Sequence, residues 1–301
     1  MSPAWSPRIW RYLAITAHRE RDFFRNVRTS TQEMGHQSHQ SDPRILNRRT
    51  LHRDHRRLAQ VLRAGMTVLD VGCGSGAITA DIARIVGLGG MVVGLDRDHA
   101  NLAIARQEHR HTDNLRFENG DILILDFESD FKEGFDIVTA ARTLQWISEP
   151  GRAVGQMKRA AKAGGCVVIL DYNLEDTRWE PDPPADFKRF YRAFLDWRTA
   201  NDWDNRMAEH LPELFHSAGL TGVEVHPCDE IVQRGESDFL DPYASGIWRY
   251  VIQSLGPQLV HDGFLRESER CRAEEDYERY VQTTLQRQMH SMSTVEGRVV
   301  D

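Results

Sequence analysis

Cysteine is scarce in this chain. Its 301 residues hold four, Cys73, Cys166, Cys228 and Cys271, scattered without C-x-x-C spacing. That argues against a zinc knuckle or a disulfide framework and points to reduced thiols. Long apolar runs are missing as well: none approaches the roughly 20 residues that a membrane span needs. The opening segment MSPAWSPRIWRYLAITAHRERD has neither the apolar stretch nor the small-residue cleavage site of a signal peptide, so a cytoplasmic protein is expected. There is no internal repeat and no low-complexity linker. Net positive charge is lacking too, and the formal −7 speaks against general nucleic-acid binding. Arginines nevertheless crowd the first part of the chain, and Arg44, Arg48, Arg49, Arg53, Arg56, Arg57 and Arg63 make a basic helix ahead of the first strand. That helix is open to three readings: a solvated face, an RNA-facing patch, or an arginine reaching a carboxylate in a cofactor pocket. The pairs His36/His39 and His52/His55 lack a third ligand at convincing spacing, and no metal is expected.

What is present is ordinary globular composition, 40% hydrophobic and 28% charged, with enough length for one large α/β domain or two modest ones. From Val68 onward short apolar runs alternate with helical periodicity, as in βα units of a parallel sheet. MTVLDVG, MVVGLD, LRFENGD, FDIVTAA and GCVVILDY read as five strands. TADIARIVG, DHANLAIARQEHR and PGRAVGQMKRAAK read as the helices between them, the last ended by Gly164 and Gly165. After Asp171 a proline-punctuated, aromatic stretch to Asn205 looks like an insertion. Then follow RMAEHLPELFHSAGL as helix, TGVEVHPCDEIVQRG as one strand, helices over about 238–254 and 267–288, and a last strand in MSTVEGRVV.

The densest information lies in VLDVGCGSG, residues 68–76. From Gly72, GCGSGA fits the G-x-G-x-x-G/A pattern of a dinucleotide loop. Asp70, two residues earlier, fits poorly, because a carboxylate there repels a pyrophosphate. The same carboxylate suits the ammonium and sulfonium of S-adenosylmethionine. Asp96, ending the second strand, can accept ribose hydroxyls in either case, and Asp121 in NGD can accept an adenine amine.

With these segments in view the chain resembles the class I S-adenosylmethionine-dependent methyltransferases, nearest the ubiquinone/menaquinone-biosynthesis-like branch that methylates small molecules. VLDVGCGSG, GLDRD, ENGD, FDIVTAARTLQWISEP and MKRAAKAGGCVVILDY follow the family's order over about 66–172. The resemblance implies a doubly wound, seven-stranded Rossmann-like α/β sheet whose last strand is antiparallel, with an N-terminal helical extension and helical insertions as a substrate cap. It implies that Asp70, Gly72 and Gly74, with Cys73 between them, line the methionine part; that Asp96 with Arg97 meets the ribose; that Gly120, Asp121 and Ile122 meet the adenine; and that Ala141 and Arg142 pass beside the methionine part. Cys73 itself is commonly a packing residue at that place. Where many relatives have leucine-histidine, this chain has Leu144-Gln145, so no histidine base comes from that loop.

Methyl transfer from a sulfonium needs positioning and desolvation, and a base only for a weakly acidic acceptor. Tyr12, His18, Asp171 and Tyr172 are the candidate bases. Gln145, Tyr172, Trp179, Phe190, Tyr191, Phe194 and Trp197 are the candidate acceptor contacts, although the aromatics equally suit a cap's own core. The organisation expected is a lid over 1–50 and a methyltransferase domain over 51–301, with cap insertions about 172–205 and 236–288. The expected partner is a small, aromatic or hydrophobic acceptor, with no nucleic acid, and a homo-oligomer through N-terminal or cap helices is compatible. Three rivals stand: an RNA methyltransferase, for which DPPA at 182–185 resembles the needed N/D-P-P-Y/F motif but follows the wrong strand; an inactive adenosylmethionine-binding protein; and an NAD-dependent dehydrogenase, which Asp70 disfavours.

Overall fold

The computed structural model describes residues 43–125, 133–237, 239–241 and 244–300. The chain divides into Met1–His39 and Gln40–Asp301, and everything described belongs to the second unit. The expected lid over 1–50, with Tyr12 and His18, falls almost wholly outside the described residues.

The apolar runs form the strands as read. Strands β1 (Thr67–Val71), β2 (Met91–Asp96), β3 (Leu115–Asn119), β4 (Phe135–Ala141) and β5 (Ala161–Glu180) are mutually parallel, in the order β3-β2-β1-β4-β5. Runs such as VLDV, buried throughout, suit strands covered on both faces. One face packs on α6 (Pro150–Ala160) and α8 (Met207–Ser217), the other on α4 (Ala77–Val86) and the short helices α2 (Leu51–Asp54) and α3 (Arg56–Val61). A single turn, α1 (Pro43–Leu46), precedes these, and α5 (His99–Glu108) links β2 to β3. The basic stretch expected as one helix is broken at His55 (φ −151°, ψ 58°). The reason is a buried anchor: His55 Nε2 lies 3.0 Å from Thr139 Oγ1 in β4.

The antiparallel strand is present, with one strand more than expected. TGVEVHPCDEIVQRG divides into β6 (Thr221–Pro227) and β7 (Glu230–Gln233), which lie end to end along β8 (Arg287–Arg298). At the break, Cys228 N–H donates to Met292 O (3.0 Å) and the Asp229 side chain accepts from Met292 N (3.0 Å), replacing regular ladder bonds. β8 is antiparallel to β5 on its other side. β5 does not stop at Tyr172: NLEDTRWE continues it, and after a bulge between Asn173 and Arg178 it rejoins β8 through Trp179↔Gln288 and Glu180↔Arg287. The helix expected over 267–288 accordingly ends at Thr283, because the chain beyond it is needed in β8.

The segments expected as a cap hold α7 (Ala185–Ala200), α9 (Ile247–His261) and α10 (Glu267–Thr283). Their core is aromatic, with Phe187, Phe190, Phe194, Trp197, Trp248 and Tyr277 buried together and Phe187 stacked on Tyr277 at 4.3 Å. Among the described residues no helix is long and apolar enough to cross a membrane.

Candidate functional site: the strand ends of β1, β2, β4 and β5

The glycine loop is stitched to β2. Gly72 N–H donates to Leu95 O (2.7 Å), and Gly74 N–H to Asp96 Oδ2 (2.7 Å). The other Asp96 oxygen accepts from Asp98 N (2.8 Å), so Asp96 shapes the loop while each oxygen keeps a further lone pair for a ligand hydroxyl. Gly72 stands at φ +73°, and a Cβ there would lie 2.3 Å from Thr143 Oγ1. Only glycine lets β1 turn at this point beside the end of β4.

Asp70 is 3% exposed, in β1 between Gly94 and Thr139. Its carboxylate accepts from Thr79 Oγ1 at 2.7 Å. Burial, reinforced by the charge of Asp96, pushes it up to about 7 in spite of that hydrogen bond. Asp121 accepts from Leu123 N (2.9 Å) and is half-buried. Gly120 N–H donates to Asp96 O (3.1 Å), and Asn119 Nδ2 donates to the carbonyls of Asp96 and Arg97 (3.0 and 3.1 Å). The Arg97 side chain is exposed. Ile122 packs into the core, which leaves its backbone rather than its side chain for a ligand. Cys73 packs against the Phe117 cluster, and burial drives its thiol far up, in keeping with a packing role.

Beyond β4, Arg142 adopts φ +58°, an uncommon conformation for a bulky side chain. Its N–H still donates to Leu170 O (2.7 Å). The buried guanidinium donates through Nε to Tyr172 Oη (2.7 Å) and through Nη1 to Asp54 O (3.0 Å). Burial opposes its charge, but Tyr172, Glu230 and Asp54 outweigh burial and hold it cationic. Ala141, one residue earlier, is half-buried. The candidates Ala141, Arg142 and Tyr172 thus come together where the end of β4 meets the middle of β5.

Gln145 and Asp171 also meet. Asp171, fully buried, accepts from Gln145 N (3.1 Å) and Tyr172 N (3.0 Å), and burial pushes it up to about 7. The Gln145 carbonyl in turn accepts from Arg198 Nη2 of α7 (2.8 Å). Arg198 is fully buried, lies over the Trp146 ring at 4.1 Å, and is lowered to about 9 by burial. Of the candidate acceptor aromatics, Phe190, Phe194 and Trp197 are buried in the cap core, where Trp197 Nε1 donates to Asp262 (2.8 Å). Trp179 and Tyr191 are half-buried at its margin, with Trp179 Nε1 donating to Gln288 (3.0 Å) and Tyr191 Oη to Leu174 O (2.5 Å).

Three residues that were not among the expected site residues belong to this constellation. His55, lowered to about 3 by burial and the charge of Arg142, supports β4 from below. Arg198 ties the cap to the loop after β4. His290 of β8 accepts from Trp248 Nε1 (3.1 Å) and faces Glu230 at 3.5 Å, beside Tyr172. An arginine set inside the aromatic stretch YRAFLDWRTANDW was a signal for Arg198 alone; the others are joined only by tertiary pairing. Away from the site, Glu224, His226 and Glu296 are close enough to share an ion, but Arg57 already donates to both Glu296 oxygens (2.7 and 2.6 Å).

Comparison with known proteins agrees with this geometry. A family model described as a methyltransferase domain matches residues 62–218. A demethylmenaquinone methyltransferase of Staphylococcus haemolyticus is 26% identical over 182 residues, covering 54% of this chain and 72% of that protein. The YcgJ protein of Bacillus subtilis superposes with a TM-score of 0.52 at 15% identity, covering 83% of this chain and 99% of that one. Phosphoethanolamine N-methyltransferase 2 of Haemonchus contortus aligns at a TM-score of 0.49 and 17% identity over 79% of this chain, which spans half the length of that protein. The chain therefore belongs to the methyltransferase-domain family, and it is a class I S-adenosylmethionine-dependent methyltransferase similar to the quinone-biosynthesis branch.

Proposed function

We propose that this protein methylates a small aromatic or hydrophobic metabolite, bound beside Arg142 and Tyr172 and covered by the cap. The observation that carries the reading is Asp70. A carboxylate buried this deeply, with no basic side chain paired to it among the described residues, fits a cationic ligand and is at odds with a phosphate-bearing one. Asp96 and Asp121 extend the same acidic set to the ribose and adenine ends.

Bound S-adenosylmethionine supplies an already activated methyl group. The chain's own work is then to hold and to dry. Asp70, reached directly or through water, orients the amino-acid end, and Asp96 keeps the loop closed against β2. Arg142 can donate to an acceptor oxygen and stabilise it as an anion, with Tyr172 fixing the guanidinium plane. Holding the reacting atoms about 3–3.5 Å apart can supply roughly 7–11 kcal/mol of the barrier, so no dedicated base is required for an acidic acceptor hydroxyl. The similarity to demethylmenaquinone methyltransferases supports a quinone-type ring as the acceptor, methylated at oxygen, nitrogen or carbon. The candidate aromatics Trp179 and Tyr191, at the margin of the cap core, are the ones best placed to reach it, with Phe190, Phe194 and Trp197 backing them.

The test is calorimetric titration with S-adenosylmethionine, followed by methyl transfer to a panel of catechols and hydroquinones read by mass spectrometry. Donor binding in the wild type that is lost in Asp70→Asn, with one methyl added to at least one ring acceptor, is the expected result. Donor binding with no transfer to any acceptor would sink the catalytic reading.

A further inference from the structure

A cavity of about 230 Å³ opens on the face of the sheet that carries Asp70, Leu170 and Tyr172, between α2, α3, β7 and β8. Its wall is unusually cationic. Arg48, Arg53, Arg56 and Arg142 line it, against the carboxylates of Asp54, Glu230 and Asp241. The pairing of these charges leaves a positive remainder. Arg48 pairs with Asp241. Asp54 is shared by two guanidinium groups, Arg53 at 3.1 Å and Arg142 at 3.6 Å. Glu230 faces His290. No ion pair joins Arg56 to a carboxylate among the described residues. Arg49 lies near enough to feel the charges of Arg142, Tyr172, Asp54 and Glu230, and burial together with Arg142 lowers it. Guanidinium groups held together under partial desolvation are costly unless an anion joins them.

We propose that this cavity binds an anionic head group of the acceptor, a carboxylate or a phosphate, clamped by Arg56 and Arg142 with Arg49 behind them. The proposal rests on the acceptor site assigned above to the neighbourhood of Arg142. The cavity is smaller than the roughly 300–1,000 Å³ typical of whole-ligand sites, so it takes a head group while the rest of the acceptor extends toward the end of β4 and Tyr172 of β5. Planar guanidinium forks are well matched to both oxyanion types, and the polar wall makes the site a poor one for an uncharged hydrocarbon.

Benzoate, phenyl phosphate and the neutral benzamide, titrated into the full-length protein saturated with S-adenosylhomocysteine, provide the test, with adenosylhomocysteine affinity measured alongside. The expected result is that at least one anion binds ten-fold or more tightly than benzamide, the tighter of the two identifying the head group. Arg56→Gln, on the exposed side of the cavity, reduces that preference at least five-fold, and Arg49→Gln does the same, while adenosylhomocysteine affinity stays as in the wild type. Equal binding of benzamide, or an anion preference that survives both substitutions, overturns the proposal. Loss of adenosylhomocysteine binding in the wild type would instead count against the donor site, which keeps the two failures apart.

Discussion

The two halves of the sheet are built on opposite electrostatic plans. Around β1, β2 and β3 the strands end in carboxylates, Asp70, Asp96 and Asp121, and the loop between them is shaped by short backbone hydrogen bonds such as Gly74 N–H to Asp96. Around β4, β5, β7 and β8 guanidinium groups gather, with Arg142 and Arg198 set over the rings of Tyr172 and Trp146 and the arginines of α2 and α3 beside them. On the function proposed above, the first half suits a cationic donor and the second an electron-rich acceptor, so the difference teaches that two ligands of unlike charge can be sorted before they meet.

That contrast can be broken from either side. The largest effect is expected in the cap: Trp197→Ala should destabilise the protein by about 3–5 kcal/mol through the cavity it leaves, seen as a lower thermal midpoint, with donor affinity in the folded fraction little changed. A large loss of donor affinity in that variant would mean the halves are not separable. Next, Asp70→Ala should cost roughly 2–3 kcal/mol of donor binding, the worth of a charged interaction, with folding retained because a destabilised carboxylate has been removed. Near-normal affinity in calorimetry would overturn the donor assignment.

A smaller effect concerns pH. Asp70 is raised from 3.8 to about 7, so the folded protein without donor binds more protons than the unfolded chain across that window. Its contribution to stability is greatest below about pH 4 and is lost as pH climbs through 7; Asp171, raised for the same reason of burial, adds in the same direction. Donor binding has the opposite slope, since the ionised form is the one a cation wants. Affinity should rise about ten-fold between about pH 6 and pH 8, and Asp70→Asn should flatten the profile. Smallest of all, Thr79→Val removes the hydroxyl that stabilises the ionised form and should move the midpoint of that profile upward by less than about one pH unit. A downward shift would show that Thr79 acts otherwise.

The donor half was legible because its logic is local. Asp70, Gly72 and Gly74 lie within one turn, and the strand that carries them is a single apolar run. The acceptor half was less so, because its residues are joined across the chain. The sequence around NLEDTRWE is polar and reads as insertion, yet it is strand, since its ladder partner lies more than a hundred residues further on at Arg287–Met289. Tyr172 was visible as the residue ending an apolar run, whereas His290, which packs edge-on against it, sits in the gap between the helix expected to end at 288 and the last expected strand. The aromatics of α7 were legible as a cluster but not as to role, because the same composition builds a core or a pocket. Three of the four α7 residues chosen as acceptor contacts, Phe190, Phe194 and Trp197, lie buried in one aromatic core.

The position of β8 has a consequence for how the molecule is made. It is the last of the described strands in chain order, yet it lies inside the sheet: Asp171 must wait for Ser293, and His226 for Thr294. On a ribosome adding about 5–20 residues per second, the edge of β5 stays bare for on the order of ten seconds after it emerges, and β6 and β7 have nothing to pair with. The donor half waits less, since the longest gap there is that between β1 and β4, from Val68 to its partner Ile137. Nascent chains can therefore acquire a donor cradle before any acceptor wall exists, and that bare edge is the place where a chaperone would be needed.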